Sequence, residues 1–178
     1  MDKKLSGILM LGYTVLFISL FTTAIRVVGW VTASTEEMIT FELVFNLLLV
    51  LAGFFALWNG EKLEGILFLV IGAYWFSHGL RMLWYPALQA NTMPASYDGW
   101  FALVVAAVLF DLWLSAAGGS MLHKFFLLGL WIAYLLGAVA NWISSSALIM
   151  ILGYIVLIDS LLAGLYCASI DRGKASMS

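Results

Sequence analysis

The chain has 178 residues, of which 64% are hydrophobic and 10% are charged, with a formal net charge of −2. That weak negative balance, with no basic tract, argues against a nucleic-acid partner, and the single cysteine, Cys167, excludes an intrachain disulfide or a thiolate cluster. The apolar residues fall into six long runs, each near or above the about 20 residues that cross a bilayer core, and no segment remains that would fold as a soluble domain.

The first run, Leu5–Trp30, follows Met1-Asp2-Lys3-Lys4. It is too long for an ordinary signal-peptide core and lacks a small-residue cleavage pattern, so it reads as an uncleaved first helix. The polar turn Val31–Met38 carries Ser34-Thr35-Glu36-Glu37, a cap and acidic first turn for a second helix over Ile39–Trp58. Asn59-Gly60-Glu61-Lys62 makes a tight hairpin into the third helix, Leu63–Tyr85. The longest loop, Pro86–Gly99, holds both prolines, Pro86 and Pro94. The fourth helix, Trp100–Ala117, turns at Gly118-Gly119-Ser120 into the fifth, His123–Trp142. Ser144-Ser145-Ser146 then leads to the sixth, Ala147–Ile170. The fold class is an all-α membrane protein: one six-transmembrane-helix bundle over residues 1–178.

Lysine and arginine divide unevenly between alternate sides. Lys3, Lys4, Lys62, Lys124, Arg172 and Lys174 share one side, against Arg26 and Arg81 on the other with Glu36, Glu37, Glu42 and Asp98. The positive-inside rule places both termini in the cytoplasm, in a multi-pass protein of the cell (cytoplasmic) membrane. Trp30, Trp58, Trp84, Tyr85, Trp100 and Trp142 sit near helix ends, where aromatic belts form. Small residues at four-residue spacing (Ser160, Gly164 and Ala168; Ala133 and Gly137; Ala102 and Ala106) mark helix-packing faces.

Ionisable groups at membrane depth cost roughly 2.5–3.5 kcal/mol each on insertion scales, so each requires an explanation. Counting along the helices at about 1.5 Å per residue, Asp111 and Asp159 fall near or below mid-membrane. Arg26, Arg81 and Glu42 fall near the outer helix ends, Asn46 and Asn141 in the outer third. Two readings stand. In one, the polar groups line a route through the bundle: Arg26 and Arg81 attract an anion, and Asp111 or Asp159 carries a proton. In the other, the arginines snorkel and pair with Glu42 or Asp98, and the aspartates hydrogen-bond to neighbouring helices. His78, between Ser77 and Gly79, reads as a satisfied packing residue. The sequence around the two aspartates lacks the Tyr-Asp and Gly-x-Gly-Asp patterns of intramembrane aspartyl proteases. No metal-ligand spacing, nucleophile elbow or phosphate loop appears either, so neither an enzyme nor a cofactor is expected.

One stretch goes beyond composition. Leu51-Ala52-Gly53-Phe54-Phe55, then Gly60, then Gly72-Ala73-Tyr74-Trp75-Phe76-Ser77 resembles the acetate uptake transporter family, also called succinate–acetate permeases. The similarity continues through Ala138-Val139-Ala140-Asn141, Gly153-Tyr154 and Ala163-Gly164-Leu165-Tyr166. The chain departs from the family before helix one, where Lys4-Leu5-Ser6-Gly7-Ile8 replaces an Asn-Pro-Ala-Pro-Leu-Gly segment, and at the apolar Leu49 and Ala56. The resemblance implies a six-helix subunit assembled as a hexamer, with a pathway for small monocarboxylates through each subunit. It implies a constriction of Phe, Tyr and Leu from helices one, three and five, which by position falls on Leu11, Ile71 and Leu136. Arg26 and Arg81 would concentrate the anion, Asn46, Ser77 and Asn141 would offer hydrogen bonds, and Asp111 or Asp159 would be proton-sensitive. The run Trp100-Phe101-Ala102-Leu103-Val104-Val105-Ala106, with Asp159, also resembles the urea/amide channels, which makes urea or a short amide the alternative solute. A non-transporting membrane scaffold subunit is the alternative class.

Overall fold

The structure is a computed structural model that describes residues 3–32, 34–87, 95–116 and 120–175. It contains α1 (Lys3–Val27), α2 (Thr35–Trp58), α3 (Lys62–Ala87), α4 (Ala95–Ser115), α5 (Met121–Ile143) and α6 (Ser146–Ala175). All six are long and apolar enough to cross a membrane. Runs of this kind become helices because lipid offers no partner for backbone N–H and C=O, and a helix satisfies them within one segment.

Local chemistry moves the helix ends away from the apolar boundaries. α1 stops at Val27 rather than Trp30 because Gly29 adopts φ 76°, and the N–H of Trp30 turns back to the Ile25 carbonyl at 2.8 Å. α2 starts at Thr35, earlier than its apolar run. Ser34 Oγ accepts from the Glu37 N–H at 3.2 Å, and the Glu37 carboxylate accepts from the Ser34 N–H at 2.7 Å, which closes a capping box. Gly60 turns the α2–α3 hairpin at φ 88°. The expected Pro86–Gly99 loop is shorter than its polar character suggests. α3 runs through Pro86 to Ala87, and α4 begins at Ala95 with Asp98 in its first turn, where an acid complements the helix dipole. Pro94 and the Gly118-Gly119 turn lie outside the described residues.

Each helix packs antiparallel against the next and α6 returns against α1, so the six close into a ring in chain order, with α3 and α4 touching least. Glycine sets the closest approach. A β-carbon at Gly53 would stand 2.8 Å from the Leu69 nitrogen and 2.9 Å from the Gly65 carbonyl oxygen, so α2 and α3 meet backbone to backbone. Gly72 repeats this one and a half turns on, against Val50 and Asn46. Outward faces are apolar too, as Val44, Leu51, Phe54 and Phe55 of α2 and Ile151, Ile158 and Leu165 of α6 show.

Candidate functional site

A cavity of about 180 Å³ lies at the end of the ring where α1 finishes and α6 starts. All the helices except α2 line it. Most of its wall is apolar, with Thr23, His78, Asp98 and Asn141 as polar members, Tyr74 and Tyr134 as aromatic ones, and Leu20, Leu130 and Val156 deeper in. The Tyr74 and Tyr134 rings meet edge to face, 5.2 Å between centroids.

The polar groups around it are mostly engaged with one another. Arg81 forms an ion pair with Asp98, with its Nε donating to the Ser77 carbonyl at 3.3 Å and its guanidinium 5.8 Å from the Phe101 ring. This is the paired reading of that arginine. Glu42 bonds to His78 instead of an arginine, with Nδ1 and Oε2 2.7 Å apart. Arg26 stands half-buried in the last turn of α1, and among the described residues no carboxylate pairs with it. Ser77 Oγ donates to the Tyr74 carbonyl, and Asn46 is spent between the Glu42 carbonyl at 2.9 Å and Ser19 Oγ at 3.3 Å. Asn46 and Ser77 therefore do not face the cavity, whereas Asn141 does, its amide also donating to the Gly137 carbonyl.

Below the cavity the interior closes. Leu16, Leu67, Ile71, Leu127 and Leu130 all have zero exposure and form an apolar layer. Against it stand Tyr13 of α1, Phe68 of α3 and Phe126 of α5, also at zero exposure. Tyr13 meets Phe68 edge-on at 5.0 Å, and its hydroxyl lies 3.1 Å from His123 Nε2. His123 in turn stacks on Tyr166 at 4.5 Å, which ties α1, α5 and α6 together. Gly12 permits this cluster, because a β-carbon there would overlap the Phe68 ring.

The three residues expected at a constriction are not brought together. Ile71 is in the closed layer, Leu136 is half-buried, and Leu11 is 53% exposed on the outside of the bundle. Leu11 and Tyr13 are two residues apart, about 200° around a helix at 100° per residue, so they face opposite ways. The side chains that meet across α1, α3 and α5 are Tyr13, Phe68 and Phe126, an aromatic set where aliphatic residues were expected. The two aspartates part as well. Asp111 is exposed on the outer face of α4 beside Phe110 and Leu114, one turn before the helix ends, and does not line the cavity. Asp159 is 2% exposed, packed against Gly129 of α5 one turn deeper than Val156, and its Oδ2 has no hydrogen-bond partner.

Sequence reasoning missed the Glu42–His78 bond and the Tyr13–His123 bond. The first was within reach: both residues lie about the same distance from the outer ends of two hairpin-linked helices. The second joins residues 110 apart and had no local signal.

No protein-family model matches the chain, and none of the curated proteins does. Among solved structures, the bacterial acetate channel SatP superposes with a TM-score of 0.86 at 15% identity, covering 94% of this chain and 93% of that one. The chain has the SatP fold. The likeness to SatP spans all but a few residues of either chain, so the ring of six helices is common to both. At 15% identity most aligned residues differ between the two chains, so the likeness is one of fold.

Proposed function

We propose that the protein is a channel or secondary transporter for a small, weakly hydrated organic solute, a short-chain monocarboxylate such as acetate, which passes through each subunit. The observation that carries this reading is the cavity of about 180 Å³, mostly apolar with a few polar groups, that ends on a buried apolar layer inside the ring. Pockets that hold small organic molecules have that make-up, and the fold is one that an acetate channel uses. With the termini in the cytoplasm, as the lysine and arginine distribution favours, the cavity faces outward. Arg26 then draws the anion to the mouth, and Thr23 and Asn141 offer it hydrogen bonds. Tyr13, Phe68 and Ile71, with Leu16 and Leu127, form the constriction, which in this conformation is shut. A narrow apolar ring gates by excluding water and favours solutes that shed their hydration cheaply. Asp159, buried just below the cavity, is the proton-sensitive group if flux is coupled to protons. The apolar outer faces of α2, α4 and α6 meet lipid or further copies of the chain in a homo-oligomer, a hexamer by resemblance.

Uptake of labelled acetate into proteoliposomes, beside labelled urea, tests the reading. Saturable acetate uptake is expected. Urea uptake without acetate uptake would overturn the monocarboxylate assignment, and a stable oligomer that moves neither solute would point to a scaffold.

A further inference from the structure

His78 does more than fill space. Its Nδ1 lies 2.7 Å from Glu42 Oε2, the Glu42 side chain is 5% exposed, and the His78 side chain is 27% exposed and lines the cavity. A carboxylate accepts hydrogen bonds, so a proton on Nδ1 bridges the pair and Nε2 is the nitrogen left for another partner. Trp75 stands edge-on to the ring at 5.7 Å between centroids. A carboxylate fixing one nitrogen of an imidazole while the other addresses a site is the arrangement that sets a histidine's tautomer and direction.

We infer that His78, oriented by the buried Glu42 carboxylate, is the proton-exchanging solute-binding group of the outer cavity, selective for a carboxylate in its protonated form. The inference rests on the channel reading above and names the chemistry of that cavity. When Nε2 takes up a proton from solution, the site changes from an acceptor to a charged donor. A carboxylate, which has only acceptors, gains a partner by that change. An amide or urea offers both donors and acceptors and pairs with either state. Few other charges face His78. Glu42 comes from α2, and the Asp98–Arg81 pair bridges α4 and α3. On α1 the charged neighbour of the cavity wall is Arg26, between Thr23 and Val27. The lining residues of α5 (Tyr134 and Asn141) and of α6 (Leu152, Gly153 and Val156) bring no carboxylate or cation. Proton uptake at His78 thus changes the charge of the cavity from beside its mouth.

The full chain in nanodiscs, labelled with ¹⁵N-histidine, provides the test. It has two histidines, and the resonances lost in His78→Gln belong to His78. At about pH 8 the His78 signals should report the Nδ1–H tautomer. At about pH 6 sodium acetate should shift them, and acetamide should shift them equally at both pH values. In proteoliposomes, acetate affinity should rise several-fold between those pH values in the parent and stay flat in His78→Gln. In Glu42→Gln the pH response of acetate affinity should weaken. A His78 resonance indifferent to acetate in a protein that transports it would overturn the inference, and if His78→Gln does not fold, two histidine resonances that are both indifferent would do so equally. So would a parental pH response in His78→Gln. A His78 shift without acetate uptake would keep the site and sink the channel reading.

Discussion

Asp159 of α6 fills the space that a side chain at Gly129 of α5 would need: a β-carbon added there would overlap Oδ1. The two positions therefore share one volume at the α5–α6 contact. Gly129→Ala should lower stability by about 1–3 kcal/mol, as overpacking of a closed interior does. Asp159→Ala removes the obstructing carboxyl, so the double variant should recover most of that loss. Thermal unfolding in detergent measures the coupling, and strictly additive losses would show that the two groups do not compete for space.

Tyr13 makes a hydrogen bond and, on the channel reading proposed above, plugs the path, and two substitutions separate these roles. Tyr13→Phe loses the 3.1 Å contact with His123 Nε2 but keeps the ring against Phe68, so it should cost about 1 kcal/mol and leave the path shut. Tyr13→Ala removes the ring, and acetate flux should increase at saturating solute. Equal flux in Tyr13→Ala and the parent, with both folded, would move the constriction elsewhere.

The Arg81–Asp98 pair links α3 to α4, the neighbours in the ring that touch least. The side chains are 19% and 28% exposed, so their attraction is only partly screened. A double-mutant cycle with Arg81→Gln and Asp98→Asn should give a favourable coupling of roughly 1 kcal/mol, the upper end for partly exposed pairs. That coupling should shrink in high salt. A coupling within error of zero would mean that α3 and α4 are held by packing alone.

Two glycines should behave oppositely. Gly53→Val pushes a branched side chain into the α3 backbone, 2.8 Å from the Leu69 nitrogen at its β-carbon alone, and should abolish folded protein. Gly7→Ala meets nothing within 4 Å and replaces a poor helix former, so it should be neutral or stabilising by up to about 1 kcal/mol. Size-exclusion profiles and melting temperatures distinguish the two.

What the sequence made legible was position along each helix. Run lengths pointed to six long apolar helices, because the bilayer sets the length of an apolar helix. Rotation about each axis was not legible. In a soluble helix, polarity marks the outward face, but here both faces are apolar, and Leu11 and Ile71 look alike in sequence while one faces out and the other has zero exposure. Asp111 and Asp159 show the same limit. Their depths were read from residue counts, yet only Asp159 points inward. The Glu42–His78 bond needed that missing rotation too, since each residue taken singly had an ordinary explanation at its helix end.

The five side chains of zero exposure beneath the cavity bear on the energetics of the host membrane. A proton crosses a protein along a continuous file of water, and small apolar spaces stay dry. Leu16, Leu67, Ile71, Leu127 and Leu130 interrupt such a file, so on the channel reading proposed above the shut subunit passes no protons even with its cavity flooded. On that reading a cell could hold many copies in an energised membrane without short-circuiting it, and would be exposed to leakage only while a solute is passing.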